Sequence, residues 1–241
     1  MRVNRVVLVG GLVLATALGV AGGYFGGDRT YSSSVVVNGV PAPLGGVSIS
    51  PTKAPLPVKT AVPDNYPALD PDSLEFHRQE FTVDLAEDDQ GVDAPPVRVS
   101  MRVPIGWKQT VNKDGSIKIA DSEGVRWVRL APVYPVKQTP RQKRDQLVPS
   151  LESSIAHEDD FKVLSQFDDV PVGTDDRKRR VSSLTYSYIP QKWLRPVVVE
   201  FVATAGQEAA NFLISVTGLS EDQKALDLIA EKAAVSVLPA D

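Results

Sequence analysis

The hydrophobic pattern begins with a long uncharged run, from Val6 to Phe25, that predicts a membrane-spanning helix. About twenty helical residues match the hydrocarbon thickness of a bilayer. Arg2 and Arg5 precede the run, and positively charged flanks stay in the cytoplasm. We therefore expect residues 1–27 to form a cytoplasmic stub and a single-pass anchor in the cytoplasmic membrane. The rest of the chain, including its C-terminal domain, is then expected outside.

A cleaved signal peptide is the alternative interpretation of the same segment. Ala15-Thr16-Ala17 has the small-x-small form of a cleavage site. Cleavage there would release a secreted protein whose mature chain begins with the apolar stretch Leu18–Phe25. The spanning length favours the uncleaved anchor.

Small residues recur at every fourth position of this segment, at Gly11, Ala15, Gly19, Gly23 and Gly27. On a helix this spacing forms one ridge along which two backbones can approach closely. The ridge is a candidate surface for a homodimer through the transmembrane helix. A plain anchor is the alternative, because glycine and alanine are common in such segments.

Residues 28–73 show no sustained helical or strand period, and they hold eight of the nineteen prolines of the chain. Proline removes backbone donors and favours extended conformers, so the stretch is typical of an extracytoplasmic linker. As a coil it would span roughly 40 Å, and fully extended roughly 140 Å. The alternative is an N-terminal extension that packs on the following domain.

From residue 74 to residue 241 the pattern becomes that of a globular domain. Apolar and polar residues alternate from Val97 to Val103, which predicts a half-buried strand. A hairpin is predicted around the turn at 121–124. Further strands are predicted at residues 161–167, 181–188, 196–203 and 209–216.

Two helices are predicted from their capping signals. Thr139-Pro140-Arg141-Gln142 combines a capping box with proline at the first helical position, and Pro149 further on predicts a kink or two short helices. Ser220 and Gln223 predict a second capping box before a last helix. Strands, helix, strands and helix follow one another without regular β-α-β alternation. This order favours the α+β class, with helices packed on an antiparallel sheet.

The strand that ends in Val103-Pro104-Ile105-Gly106-Trp107 resembles the start of PsbP/Mog1-like domains, with Pro104, Gly106 and Trp107 as the fold signature. The predicted hairpin, helix, β-meander ending at residues 212–218 and terminal helix also resemble that family, over residues 81–237. Actinobacterial envelope proteins of the LpqN/LpqT type carry such a domain behind a lipid anchor or one membrane segment. The resemblance implies an αβα sandwich with a non-enzymatic binding or assembly role, and it supplies no catalytic residues.

Composition narrows the chemistry further. The chain has no cysteine, which excludes disulfides, thiolate metal sites, a cysteine nucleophile and lipid attachment at a lipobox cysteine. A net charge of −4 argues against nucleic acid as a partner. His77 and His157 are the two histidines, and the chain has no Gly-x-Ser-x-Gly elbow, so an envelope hydrolase is disfavoured. Adjacent aspartates occur without the spacing of a calcium loop, and we expect neither metal nor cofactor.

Aromatic residues have two interpretations. Trp107 could stack on a ligand, but a large aromatic beside a turn more often serves burial. Tyr186, Tyr188, Trp193 and Phe201 could line a cleft, although aromatics at alternating strand positions are more often core residues.

Basic residues supply the candidate partner-binding surface. Arg177, Lys178, Arg179 and Arg180 form a run in a predicted turn that could contact anionic headgroups or an acidic partner. Arg141, Lys143 and Arg144 open the first predicted helix, where positive charge opposes the helix dipole. The alternative for the run is a solvated turn neutralised by neighbouring aspartates.

These observations predict a membrane-tethered, extracytoplasmic interaction or scaffolding domain of the bacterial cell envelope that binds a protein partner without covalent chemistry. The alternative is a carrier of lipids or small ligands, which would need a sizeable apolar cavity. An envelope hydrolase would need a serine beside His77 or His157.

Overall fold

The computed structural model describes residues 56–83, 96–112, 114–133, 136–172, 179–204 and 206–239. The predicted anchor at 6–25, its glycine ridge and the first part of the predicted linker lie outside these ranges. Within them, no helix is long and apolar enough to cross a membrane.

Ten strands and two α-helices form the described fold. In chain order they are β1 Phe76–Val83, β2 Val97–Pro104, β3 Lys108–Val111, β4 Ile117–Ala120, β5 Trp127–Pro132, α1 Pro140–Ser154, β6 Lys162–Val172, β7 Arg179–Tyr188, β8 Arg195–Ala203, β9 Phe212–Thr217, α2 Gln223–Ser236 and β10 Leu238–Pro239. Short 3₁₀ turns lie at Pro71–Ser73, His157–Asp159 and Ser220–Asp222.

The strands form two antiparallel sheets. The large sheet has seven strands in the order β3-β4-β5-β9-β8-β7-β6, and the small sheet has the order β1-β2-β10. Every paired ladder is antiparallel. The predicted α+β class with an antiparallel sheet is therefore confirmed.

Side chains alternate across the large sheet, so each face has its own apolar core. On one face, Leu130 and Ile214 pack with α2 and with the small sheet. On the other face, Leu184 and Phe201 pack beneath Leu151 of α1. Helix α1 lies mainly on β7 and β8, towards the β6 edge of the sheet. The part of this face nearer β4 and β5 is where the candidate site lies.

Helix α1 begins as predicted. Thr139 accepts from the backbone N–H of Gln142, whose side chain accepts from the backbone N–H of Thr139. Pro149 does not divide the helix, which continues to Ser154, so the prediction of two short helices is wrong. Proline has no N–H to donate to the carbonyl one turn earlier, that of Asp145. Both residues are exposed, so water can hydrate this carbonyl.

Helix α2 begins differently from the prediction. Ser220 opens a 3₁₀ turn, and α2 starts only at Gln223, so the predicted Ser220–Gln223 capping box is wrong. Asp222 lies between them and is completely buried. Its carboxylate accepts from the backbone N–H of Leu219 at 2.9 Å, which makes it the acceptor at this junction.

Residues 56–73, which we call the N-terminal strap, pack on the domain instead of forming the end of a free linker. The backbone N–H of Val62 donates to the carbonyl of Lys192 at 2.7 Å, and that of Leu69 donates to Asp222 at 2.8 Å. Tyr66 meets the ring of Trp193 edge-on at 5.7 Å between centroids. The strap therefore packs as in the alternative interpretation, an N-terminal extension on the domain predicted to begin at residue 74.

The fold signature has a local structural explanation. Pro104 is the buried last residue of β2. Gly106 follows with φ of +84°, a conformation that favours glycine in a tight turn. Trp107 is partly buried and packs against the core beneath α2 and the small sheet, in agreement with its predicted packing role.

Candidate functional site: a cationic aromatic groove

The concave part of the large sheet beside α1 forms a groove with a cavity of about 160 Å³. Strands β4, β5, β7, β8 and β9 supply its floor, and the turn between β7 and β8 supplies one wall. The lining residues are Asn112, Lys118, Trp127, Arg129, Leu147, Tyr186, Tyr188, Pro190, Gln191, Trp193, Arg195, Val197, Val199, Leu213, Ser215 and Thr217. Three of these residues are cationic, and none is acidic.

Strand register places these side chains in rows across one face, because directly paired residues in an antiparallel sheet point the same way. One row runs through Lys118, Arg129, Ser215 and Val199. The next row runs through Trp127, Thr217, Val197 and Tyr186. Lys118 and Arg129 come from β4 and β5, Ser215 and Thr217 come from β9, and the apolar residues Val197, Val199 and Tyr186 come from β8 and β7. The groove is therefore polar on one side and apolar on the other.

Trp127 is the central aromatic residue of the polar side. The Lys118 ammonium lies 4.5 Å from the centroid of its ring, and the Arg195 guanidinium carbon lies 5.5 Å from it. Both distances are within the range of cation–π attraction. These contacts hold two cations against one half-buried ring.

The Trp193 ring continues the same arrangement along the wall. The Arg195 guanidinium carbon lies 5.5 Å from its centroid, and the Lys192 ammonium lies 4.6 Å from it. Tyr66 of the strap packs edge-on against this ring. The strap thus supports the wall of the groove from outside.

The three cations of the groove differ in how their charges are balanced. Arg129 forms an ion pair with Asp114. The Nη1 atom of Arg195 donates to two neutral carbonyls, that of Val125 at 2.6 Å and that of Gly218 at 3.3 Å. Neither Lys118 nor Arg195 forms a salt bridge within the described ranges. The groove therefore holds two cations without a bound carboxylate.

The electrostatic environment agrees with this imbalance. Burial and the positive charges of Arg129 and Arg195 lower the pKa of Lys118, although the negative charge of Asp121 opposes part of this shift. Burial also lowers the pKa of Arg195 and of Arg129. A group with a lowered pKa is one whose protonated, positive form is disfavoured by its surroundings. An anion in the groove would relieve this cost.

The groove lining contains no histidine and no acidic side chain. No cluster of three histidine or acidic side chains suitable for a metal ion occurs among the described residues. His77 and His157 are both exposed, lie away from the groove lining, and make no hydrogen bond to serine in the described part of the chain. The ring of His157 lies 3.4 Å from the carbonyl of Leu56 in the strap.

The predicted basic run does not form one exposed surface. Arg177 and Lys178 lie outside the described residues. Arg179 belongs to β7 and is buried, and its Nε donates to the carbonyl of Val237 at 3.2 Å. The prediction that Arg179 lies in a turn and contacts a partner is therefore wrong. Arg180 is exposed on the same strand.

The three cations at the start of α1 also differ in exposure and in their partners. Arg141 is exposed and lies within 4 Å of both Asp145 and Asp168. Lys143 is half-buried, and burial lowers its pKa. Arg144 is buried, pairs with Asp145 and Asp168, and donates to the carbonyl of Phe167 at 2.9 Å. Arg144 therefore connects α1 to β6 inside the domain, and it does not form the partner-binding surface that was predicted for it.

The predicted aromatics divide between the core, which was the favoured interpretation, and the cleft, which was the alternative. Tyr186, Tyr188 and Trp193 do line a cleft, while the two tyrosines also belong to the core beneath α1. Phe201 lies in that core. Sequence reasoning missed Lys118, Trp127, Arg129 and Arg195. For Lys118, Trp127 and Arg129, the available signal was their alternation with buried Ile119, Val128 and Leu130, which places the three together on the opposite face.

Comparisons with known proteins show a likeness to solved structures. No family model matches the chain, and no curated protein matches it. Among solved structures, the Ran-binding protein Mog1p of Saccharomyces cerevisiae is similar, with 10% sequence identity and a TM-score of 0.43. The alignment covers 69% of this chain and 97% of Mog1p.

Proposed function

We propose that this chain is a membrane-tethered, extracytoplasmic interaction domain of the bacterial cell envelope, and that it binds a protein partner without covalent chemistry. The groove beside α1 is the proposed binding surface. The observation that carries the proposal is the pairing of Lys118 and Arg195 with aromatic rings in a concavity that contains no acidic residue. Aromatic residues and arginine are enriched where proteins bind partners.

The size of the groove supports an interaction domain over a carrier. Pockets that enclose a small ligand commonly have volumes of roughly 300–1,000 Å³. A cavity of about 160 Å³ is smaller than this range and is lined by cations on one side. It has room for one or two groups projecting from a larger partner. A lipid chain would need a longer apolar channel.

The tether part of the proposal rests on the sequence. The uncharged run at 6–25 would anchor the chain, and the small-residue ridge within it would allow a homodimer. Because the packed region includes the strap, the spacer shortens to residues 28–55. Such a spacer would span roughly 30 Å as a coil and roughly 85 Å fully extended. The finer family assignment, to actinobacterial envelope proteins of the LpqN/LpqT type, is part of this proposal.

Because the chain has no cysteine, an introduced cysteine is its single thiol, and this allows a direct test of the proposal. Gln191→Cys places a single thiol on the groove, and Lys224→Cys places one on exposed α2 across the sheet. A membrane-impermeant maleimide added to intact spheroplasts should label both variants. A photoreactive maleimide should then crosslink a protein to Gln191→Cys that is absent from Lys224→Cys.

Two results would overturn the proposal. Labelling that requires lysis of the spheroplasts would place the domain in the cytoplasm. Identical crosslinked products from the two thiols, or a product confined to Lys224→Cys, would show that the groove is not the partner surface.

A further inference from the structure

Two cations of the groove form no salt bridge within the described ranges, and they suggest what the groove receives. Lys118 and Arg195 both lie against Trp127, and each is partly withdrawn from water. Arg129 differs from these two because it already has a carboxylate partner in Asp114. Charged groups held near apolar rings are stabilised when an opposite charge binds between them. The polar side of the groove is therefore complementary to one anionic group.

The apolar side indicates what accompanies that anion. Val197, Leu213 and Tyr186 face the same cavity, together with Leu147 from α1. A cavity of about 160 Å³ is close to the size that holds a single benzene ring in an apolar protein core. The space therefore suits one apolar or aromatic side chain beside the anionic group.

We propose that the groove binds an acidic segment of the partner protein, in which a carboxylate contacts Lys118 and Arg195 and an adjacent apolar or aromatic side chain enters the cavity. This inference rests on the proposed interaction function and names the chemistry of its partner. Carboxylates bind guanidinium groups through charge-assisted hydrogen bonds, and the indole rings of Trp127 and Trp193 supply the apolar contact.

Charge favours a peptide carboxylate over a nucleic-acid backbone. The chain as a whole carries a net charge of −4, so it has no broad positive field to attract a polyanion. The positive charge is confined to a groove that admits one or two groups. Selectivity would come from the combination of a single anion with an apolar neighbour.

A random-peptide display library selected against the full chain in detergent micelles tests the composition of the ligand. The peptides retained should be enriched in Asp or Glu next to Phe, Tyr, Trp, Leu or Met. The enrichment should disappear in a parallel selection against Lys118→Gln. Retained peptides with no excess of acidic residues would overturn the inference.

Affinity measurements on the strongest peptide then locate the contact. Lys118→Gln should weaken binding about tenfold, because a partly buried charged hydrogen bond is lost. Lys224→Gln makes the same change in net charge on exposed α2 and should leave binding unaltered. Changing the acidic residue of the peptide to its amide should weaken binding by about the same factor. Combining this change with Lys118→Gln should weaken binding little more than either change alone. Additive losses would mean that the two groups do not meet, and the inference would fail.

Phenylacetate, which combines one carboxylate with one ring, distinguishes a free small molecule from a peptide. Phenylacetate should compete only weakly with the selected peptide, because it lacks the rest of the peptide segment. Binding of phenylacetate as tight as that of the peptide would overturn the peptide inference. A protein crosslinked at Gln191→Cys without any acidic peptide preference would refute this chemistry while leaving the interaction function in place. Acidic peptide binding without a crosslinked protein would refute the interaction function instead.

Discussion

The guanidinium carbon of Arg195 lies 5.5 Å from the ring centroid of Trp127 and 5.5 Å from that of Trp193. One cation therefore joins strand β5 to the wall of the groove. The same side chain donates to the carbonyls of Val125 and Gly218, which lie in the segments before β5 and after β9. Arg195 thus fixes the relative positions of three parts of the site.

Arg195→Lys should destabilise the protein although it keeps the charge. Lysine cannot reproduce the planar guanidinium that contacts two rings and two carbonyls, and we expect a loss of roughly 1–2 kcal/mol. The urea midpoint, followed by tryptophan fluorescence, measures this loss. Lys192→Arg alters the exposed cation on the other side of Trp193 and should leave the midpoint nearly unchanged. Equal midpoints for Arg195→Lys and the wild type would contradict the structural role.

The strap should be needed for the stability of the domain. A fragment that begins at Leu56 should unfold in one cooperative transition. A fragment that begins at Leu74 loses the contacts of Val62, Tyr66 and Leu69 and should melt at a lower temperature. Differential scanning calorimetry compares the two fragments directly. If their melting temperatures agree, the strap is a loose extension of the domain.

Tyr66→Ala isolates the contact between the strap and the groove. Loss of the edge-on ring should expose Trp193 and shift its fluorescence to longer wavelength, with a cost of roughly 1 kcal/mol beyond the lost burial. Tyr188→Phe keeps a ring at the core side and is the matched control. An unchanged emission maximum in Tyr66→Ala would mean that the strap does not shield the wall.

Regular periodicity identified the central elements of the fold from the sequence. β2 and the β4–β5 hairpin were predicted because their apolar residues recur with the period of a buried face, and the start of α1 was predicted from its capping signals. β3 was missed because all four of its side chains are exposed and therefore give no apolar alternation. β1 was missed because its fully buried residues, Phe81 and Val83, lie at one end of the strand.

The groove could not be assembled from local patterns. The hairpin alternation places Lys118, Trp127 and Arg129 on one face, but an outward face becomes a groove only where other elements rise beside it. Here those elements are α1 and the turn that carries Trp193, which the strap supports from a distant part of the sequence. The proline content of the strap indicated an extended chain, and this is compatible with both a free linker and a packed strap.

Asp222 should be among the most sensitive positions of the domain. Its buried carboxylate accepts from Arg126 Nε at 2.7 Å and Nη2 at 3.0 Å, and from the backbone N–H groups of Leu69 and Leu219. Asp222→Asn would leave the buried Arg126 without its main counter-charge, and we expect a loss of roughly 3–5 kcal/mol. Chemical denaturation of the two proteins measures the difference.

Glu221→Gln is the matched control for Asp222→Asn, because it neutralises the adjacent but exposed carboxylate. It should leave the denaturation midpoint almost unchanged. Similar midpoints for Asp222→Asn and Glu221→Gln would refute the idea that this ion pair organises the junction of the strap, β5 and α2.

On the opposite face of the sheet from the groove, Glu200 of β8 points towards α2. Its neighbours on that face of the strand, Val198 and Val202, belong to the apolar core. Its Oε2 atom is buried and has no hydrogen-bond partner among the described residues. Burial, together with the nearby carboxylates of Glu231 and Asp227 on α2, raises the pKa of Glu200 to about 8. The folded protein therefore holds a proton here that the unfolded chain releases near its ordinary pKa of 4.5.

This proton makes the stability of the domain dependent on pH. A folded-state pKa above the unfolded value gives a stabilising contribution that is complete below about pH 4.5 and is lost as pH rises towards about 8. Glu200→Gln mimics the protonated carboxyl at every pH, so it should gain stability relative to the wild type as pH rises from about 5 to about 8. Melting temperatures across this range measure the difference, and Glu208→Gln, at an exposed acid, should follow the wild type throughout. Parallel melting curves for Glu200→Gln and the wild type at all pH values would mean that Glu200 is ionised in the folded protein.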